Sequence, residues 1–371
     1  MNIVLNAFTN QISLYKAGNK KTGPYTAVFE AQFSLNSADS CMHAVSSFLA
    51  ENSLDELKKE RFNTLIIPDY PVGFGTFSLP RLSIFKIYDV FATRFKSCYP
   101  DFGNYYLKHK TYHKGEDDIL RFYTFARKPD VVKLVDLFKK NGIHITGIDY
   151  FAHYVISGEH NKNNYPMCYL FVGKGVSEFV LSKGKEILSI STLSDGEDGI
   201  LNKQTYIDSP YFLNNARAVK YAAFMRESIM TKKELNDSTV DSTDPSAILP
   251  PKPRALRMLK GQSLEAYLLK NSVRKYCSFI NDLTNYFSQD PWFIPISEIR
   301  VFSTDEFFND FSALSKESMP FSLIKANTPI DKVSSIPGRI NFLFRHSLKK
   351  ERRTIDWKKF LSMDIGRKKK A

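Results

Sequence analysis

No run of 18 or more apolar residues occurs in the 371-residue sequence, which excludes a membrane-spanning helix. The N-terminal stretch Met1-Asn2-Ile3-Val4-Leu5-Asn6-Ala7-Phe8 has no basic residue before a short apolar run, so it does not read as a signal peptide. Cysteine is scarce. Cys41, Cys98, Cys168 and Cys277 lie 57, 70 and 109 residues apart with no C-x-x-C pair, a spacing that suits reduced thiols in a reducing compartment better than a disulfide or zinc framework. The chain is therefore expected to be cytosolic. The seven histidines form no H-x-x-x-H pair on a helix. His109 and His113 are four apart but lie in a strand or loop, and the histidines read as surface residues. No Ser/His/Asp or Cys/His arrangement stands out. Gly73-Phe74-Gly75 lacks the following helix that a dinucleotide fingerprint requires and reads as a turn. Glu116-Asp117-Asp118 reads as a solvated turn rather than a metal cluster.

What is present suits a folded chain of two domains, or of one large domain with insertions, with 43% hydrophobic residues excluding wholesale disorder. The formal net charge of +13 is unevenly placed. Residues 339–371 hold 12 Lys/Arg against 3 Asp/Glu, a net of +9, while the preceding 338 residues carry 40 against 36. The body is nearly neutral and the end is a basic tail. A nucleic-acid-binding globule would more often spread its basic residues over the folded surface, so nucleic acid is not the expected partner.

Periodicity organises the body. Residues 2–8 and 11–16 form a strand pair around Thr9-Asn10, and 25–35 is again β-rich. A helix over 40–51 puts Ala44, Val45, Phe48 and Leu49 on one face, and Thr64-Leu65-Ile66-Ile67 is a buried strand ended by Pro68-Asp69-Tyr70-Pro71. Residues 82–98 are helical. A strand–helix–strand unit spans 121–148, its helix opened by Pro129 and closed by Asn141-Gly142. A second hairpin, 167–172 and 178–182, continues into 187–192 and repeats the N-terminal plan. A helix is expected at 211–228, and the polar stretch 231–253 reads as a disordered insertion. A helix over 263–287 carries Tyr276, Phe279, Ile280, Leu283 and Phe287 as a core stripe. A strand at 298–302, a helix from Thr304 and a strand at 321–324 follow, with only the tail beyond Thr328.

Two strand-rich hairpin halves in tandem resemble the actin-like ATPase superfamily, and within it the PilM branch related to FtsA. The segments "FNTLIIPDYPVGFGTFSLP", "RFYTFARKPDVVKLVDLFKKNGIHITGIDYFAHYV" and "CYLFVGKGVSEFVLSKGKEILSISTLSDG" carry the resemblance, which covers residues 1–325. It implies an α/β, actin-like (ribonuclease H-like) duplicated fold with a small inserted α/β subdomain. The expected division is 1–165 for the first half with the insertion at about 75–146, 166–325 for the second half, and 326–371 for the tail. PilM-like proteins are cytoplasmic partners of type IV pilus and type II secretion assembly platforms, so the resemblance also implies a PilN-like membrane-anchored partner.

Departures from the family pattern bear on chemistry. The first hairpin should carry Asp-x-Gly for phosphate and metal, and Leu5-Asn6-Ala7 stands in its place. The second reads Phe171-Val172-Gly173, with an aromatic ring where the carboxylate belongs. The late glycine pair is replaced by Ser303-Thr304-Asp305. Mg²⁺ needs a carboxylate, directly or through water. Asn6, Ala7, Gly173 and Gly175 are thus the remnants of nucleotide loops. The expectation is a pseudo-ATPase without cofactor or catalytic residue, with an ATP- and Mg²⁺-binding ATPase as the alternative and nucleic-acid binding through the tail as a second.

The tail has its own pattern. On a helix, Trp357, Phe360 and Leu361 fall at i, i+3 and i+4, with Lys358 and Lys359 on the other side. An aromatic anchor beside ammonium groups suits an anionic membrane, each basic residue adding about 1 kcal/mol near such a surface. FtsA proteins end similarly. The stretch with Phe342, Phe344, Arg352 and Arg353 also resembles the "INLLP-x-R" segment of PilN-like proteins, which would let the tail dock on a body instead. Peripheral association with the inner membrane is the leading expectation.

Overall fold

The computed structural model describes residues 1–18, 23–33, 38–52, 54–69, 72–114, 117–158, 166–184, 186–201, 264–288 and 296–335. The helix expected at 211–228, the insertion at 231–253 and the tail residues Phe342, Phe344, Arg352, Arg353, Trp357, Lys358, Lys359, Phe360 and Leu361 lie outside them.

Two five-stranded sheets share one topology. In the first, β1 (Asn2–Asn6), β2 (Gln11–Lys16) and β3 (Tyr25–Glu30) form an antiparallel meander; β4 (Asn63–Ile67) then runs parallel to β1, and β8 (Ile145–Tyr150) parallel to β4. In the second, β9 (Pro166–Val172), β10 (Ser177–Lys183) and β11 (Glu186–Leu193) form the meander, with β12 (Glu298–Phe302) parallel to β9 and β13 (Ser322–Lys325) parallel to β12. Strands β4 and β9–β10 are buried along nearly their whole length, as apolar strands covered on both faces must be. The helix α1 (Ala38–Glu51) buries Ala44, Val45, Phe48 and Leu49, and α2 (Asp55–Lys59) adds Leu57.

Between β4 and β8 a three-stranded sheet is inserted, β5 (Val72–Pro80), β7 (Asp118–Arg127) and β6 (Tyr105–Lys114) in that spatial order. Against one face lies α3 (Ile84–Cys98), and Phe77, Leu79, Ile87, Phe91, Phe95, Ile119 and Tyr123 make a separate core there. Two expectations change here. The unit at 121–148 is not one βαβ motif, because β7 belongs to the inserted sheet and β8 to the first, with α4 (Lys128–Lys140) packed on α1 and β8. Gly73-Phe74-Gly75 is not a turn but part of β5, where each glycine lies opposite an aromatic residue, Phe125 and Tyr123. The rings lie directly over the glycine Cα atoms and leave no room for a Cβ.

The first half ends in α5 (Phe151–Gly158), which follows β8 and packs on β1, β4 and β8; α6 (Glu197–Leu201), α7 (Leu264–Ser288) and α8 (Asp305–Ser315) complete the second. Val273, Tyr276, Cys277 and Ile280 of α7 pack with Phe307 and Phe311 of α8 on β9, β10 and β12. The stripe expected on α7 is only partly core. Phe279 is 47% exposed because it sits on the flank of the face defined by Val273, Tyr276, Ile280 and Thr284; Leu283 is half-buried, and the Phe287 side chain lies outside the described residues.

The chain beyond Thr328 is also more than tail. A 3₁₀ turn, Ile330–Ser335, returns to the first half and packs near β2, burying Ile330 and Val333 in a core that contains Ile3, Leu5 and Ile12. That core crosses the boundary between halves, since Tyr169, Phe171, Val180, Ile187 and Phe302 belong to it too. Truncating Ile330 to Ala is expected to cost about 2–5 kcal/mol, the range for a buried Ile. Equilibrium urea unfolding checks this, and a loss under about 0.5 kcal/mol would show that the segment is not docked.

Candidate functional site

The duplicated topology brings the β1–β2 and β9–β10 turns together, one from each half. Asn6 ends β1 and is buried. Its Oδ1 accepts from the backbone N–H groups of Phe8 (3.1 Å) and Thr9 (3.4 Å), and its Nδ2 donates to the Ile330 carbonyl at 3.0 Å. An Asx turn of this kind satisfies the turn from within. Asn10, in the left-handed region at φ 54°, lets the chain double back, a conformation that asparagine tolerates better than most residues. On the other side the Gly173 N–H donates to the Val176 carbonyl (2.9 Å), and its carbonyl accepts from the Glu197 N–H (2.8 Å). A Cβ at Gly173 would lie 2.7 Å from the Cα of Phe8, so the two turns touch.

Of the residues expected to mark the nucleotide loops, Asn6, Ala7 and Gly173 are assembled here. Gly175 is not; it stands in the open at the hairpin tip, with nothing within 4 Å of a Cβ placed on it. Between the turns lie aromatic rings. Phe8 is 5.2 Å from Phe151 and 5.9 Å from Phe171, and Phe171 stacks on Phe302 at 4.8 Å. All four are buried, and each ring withdrawn from water contributes about 2 kcal/mol. The Ser303-Thr304 loop is likewise committed. Thr304 caps α8 by accepting from the Phe307 N–H, and its own N–H and hydroxyl both donate to Glu197 at 3.1 and 2.8 Å.

Beside the rings is a buried polar cluster. Asp69, just past β4, accepts the Ala152 N–H on both carboxyl oxygens at 3.2 Å. Asp149 on β8 accepts from its neighbour's N–H and pairs with His153 Nδ1 at 2.8 Å, while the Ser157 hydroxyl is 3.5 Å from His153 Nε2. From the second half Glu178 on β10 accepts from Thr192 at 3.3 Å and faces Asp69. Asp69 is 4% and Glu178 1% exposed. Burial pushes the Asp69 carboxyl up to about 7, partly offset by the contact with Glu178 and the bond from Ala152. Burial and the Asp69 charge push Glu178 well above the usual carboxylate range.

These residues correct the expectation for histidine. His153 is enclosed, and His109 lies in β6 against the rings of Phe91 and Tyr88. Burial, reinforced by Arg121, pushes the His109 pKa down to about 3. The order Asp149–His153–Ser157 has the composition of a hydrolytic relay. All three are buried, however, and the recess alongside is lined by His153 but not by Ser157. That recess, edged by Lys108, Thr124, Tyr150 and Glu186 as well, is little more than one water wide. The trio ties α5 to β8. A sequence signal for the cluster did exist: Glu178 sits directly before the apolar run Phe179-Val180-Leu181 in β10.

The two-fold repeated sheet order with an insertion between the fourth and fifth strands of the first half is that of the actin-like ATPase fold. Among solved structures, the chain is similar to one described as the PilM-PilN type IV pilus biogenesis complex, with a TM-score of 0.55 and 10% identity over 88% of this chain and 87% of that one. Lower likenesses include the ethanolamine utilization protein EutJ from Carboxydothermus hydrogenoformans (TM-score 0.40, 10% identity, 91% and 86% covered). Another is the cytoplasmic domain of EpsL, an inner membrane component of the type II secretion system of Vibrio cholerae (TM-score 0.35, 8% identity, 58% and 77% covered). At these identities the likeness is one of fold alone. Neither a family model nor a curated protein matches the chain.

Gly173→Ala is expected to destabilise the protein by about 1–3 kcal/mol through overpacking, and Phe8→Ala in the same chain is not expected to rescue it, because the Cβ meets backbone atoms. Chemical denaturation of the single and double variants checks both statements.

Proposed function

We propose that the chain is a non-catalytic, PilM-like adaptor of a type IV pilus or type II secretion-like assembly platform, engaging a PilN-like membrane-anchored partner at the inner face of the membrane. The observation that carries the loss of catalysis is the packing of Phe8, Phe151, Phe171 and Phe302 between turns that touch at Gly173. A nucleotide's phosphates and their metal need open volume, backbone N–H groups and at least one carboxylate at that point. The turns offer rings in the volume and no carboxylate at positions 6, 7, 171 or 173. Similarity of fold to the PilM-PilN complex supports the adaptor reading, and the basic, aromatic tail supports reversible membrane docking.

No helix among the described residues is long and apolar enough to cross a membrane; in this reading the chain attaches through Trp357, Phe360, Leu361 and their lysines. The expected result is no Mg²⁺-ATP turnover above background. Binding to anionic vesicles is expected to fall at least tenfold when residues 339–371 are removed. Turnover abolished by substitution at Gly173 would establish an ATPase, and vesicle binding unchanged by the truncation would remove the membrane role. Binding of the full chain, but not the truncated one, to duplex DNA in preference to vesicles would favour a nucleic-acid role for the tail.

A further inference from the structure

We propose that Arg121 and Tyr88, with His109 beside them, form a binding site for a single carboxylate on the α3 side of the inserted sheet, separate from the turns that meet between the halves. Arg121 lies on β7, the central strand of that sheet, opposite Phe77 of β5 and Thr111 of β6. Strand alternation puts it on the same face as Ile119 and Tyr123, which belong to the core beneath α3. The side chain is only 5% exposed. Its guanidinium carbon stands 4.9 Å from the centre of the Tyr88 ring, and that ring is 5.1 Å from His109. A cation is thus placed where its neighbours along the strand are apolar or aromatic.

A guanidinium keeps its charge inside a protein, so burying one calls for compensation. Among the described residues no ion pair includes Arg121. Its Nε is sealed from water and has no hydrogen-bond partner, and the same is true of His109 Nδ1. The terminal amino groups of Arg121 are not enclosed in this way, which leaves the end of the fork open to a ligand. The helix above brings no negative charge either. Its first turn has no acidic residue, Ser83 ahead of it makes no side-chain cap bond, and Tyr88 stands one turn from that positive end of the macrodipole. The face of Tyr88 attracts the cation without neutralising it.

The charge count selects the ligand. Burial and the Arg121 charge push the His109 pKa down to about 3, so the imidazole is neutral and the site offers one positive charge. One carboxylate cancels it, whereas a phosphate dianion would leave negative charge over. Arginine's planar fork also matches the two oxygens of a carboxylate. Arg94, further along α3, shows the contrast. Its guanidinium lies 5.3 Å from the Phe77 ring, but it is exposed and donates to the Ser78 carbonyl at 2.9 Å. Solvent and a partner satisfy Arg94, and Arg121 has neither for its Nε. The carboxylate can come from a free organic acid or from an acidic side chain of a partner protein, and the chemistry of recognition is the same.

The test is a titration of the full-length chain, with its arginines labelled with ¹⁵N, by sodium acetate at constant ionic strength against sodium chloride. The Nε–H resonance that disappears in Arg121→Met assigns the Arg121 signal. That signal is expected to shift saturably with acetate, and the melting temperature to rise with it by roughly 2 °C. Arg121→Met should lose the acetate response and Arg94→Met should keep it. A blocked Gly-Glu-Gly peptide, run beside Gly-Gln-Gly, separates the sources. Binding of the Glu peptide tighter than acetate assigns the carboxylate to a protein partner, and weaker binding assigns it to a free acid; either ranking supports the site. An Arg121 resonance that acetate does not move, a shift matched by chloride, or an acetate response kept in Arg121→Met would overturn it. Should Arg121→Met fail to fold, Arg121→Lys removes the same resonance and the wild-type titration still decides.

Discussion

The contact on which the molecule depends is the meeting of two turns, one from each half, at Phe8 and Gly173. A glycine is required at the second position because the first turn's backbone occupies the space a side chain would need. Phe8 then reaches Phe151 and Phe171, and Phe171 reaches Phe302, so one run of rings joins the β1–β2 turn, α5, β9 and β12. The halves thereby share a continuous core. The return of Ile330 and Val333 to the first half, with Asn6 bonded to the Ile330 carbonyl, closes the chain around that seam.

Placing charge next to such a seam is costly, and the molecule does so sparingly. Asp149 and His153 pair with one another on one side. Asp69 and Glu178, one from each half, are both sealed from water beside it. The aromatic packing and the carboxyl pair act on the same two halves from adjoining positions. Together they describe a body whose two halves are held by packing across the seam.

Much of the architecture was legible in residue patterns. The hairpins announced themselves by alternation and small-residue turns, α4 by Pro129 and Asn141-Gly142 at its ends, and the duplicated order by the repetition of strand, turn and strand. The convergence of Asn6, Ala7 and Gly173 followed from that duplication. What escaped notice depends on long-range packing. Phe8 looks like any apolar residue at a strand end, and its role exists only because Gly173 arrives from 165 residues away. The 330–335 turn is mostly polar, with two apolar residues too few to form a periodic signal. His109 and His153 read as surface residues because nothing local indicates the rings and carboxylate that enclose them. Gly73 and Gly75 suggested a turn, whereas their reason is two rings on the neighbouring strand. Phe279 was read into a stripe that helix geometry turns away from the core.

The central claim is that packing has taken the nucleotide's place between the halves. The most direct measurement is the shift in melting temperature of the full-length protein on adding millimolar Mg²⁺-ATP, since a ligand bound to the folded state at 100 times its Kd stabilises by about 2.7 kcal/mol. The account expects no shift beyond that produced by an equal concentration of magnesium with inorganic phosphate. A saturable, ATP-specific rise of several degrees would contradict it.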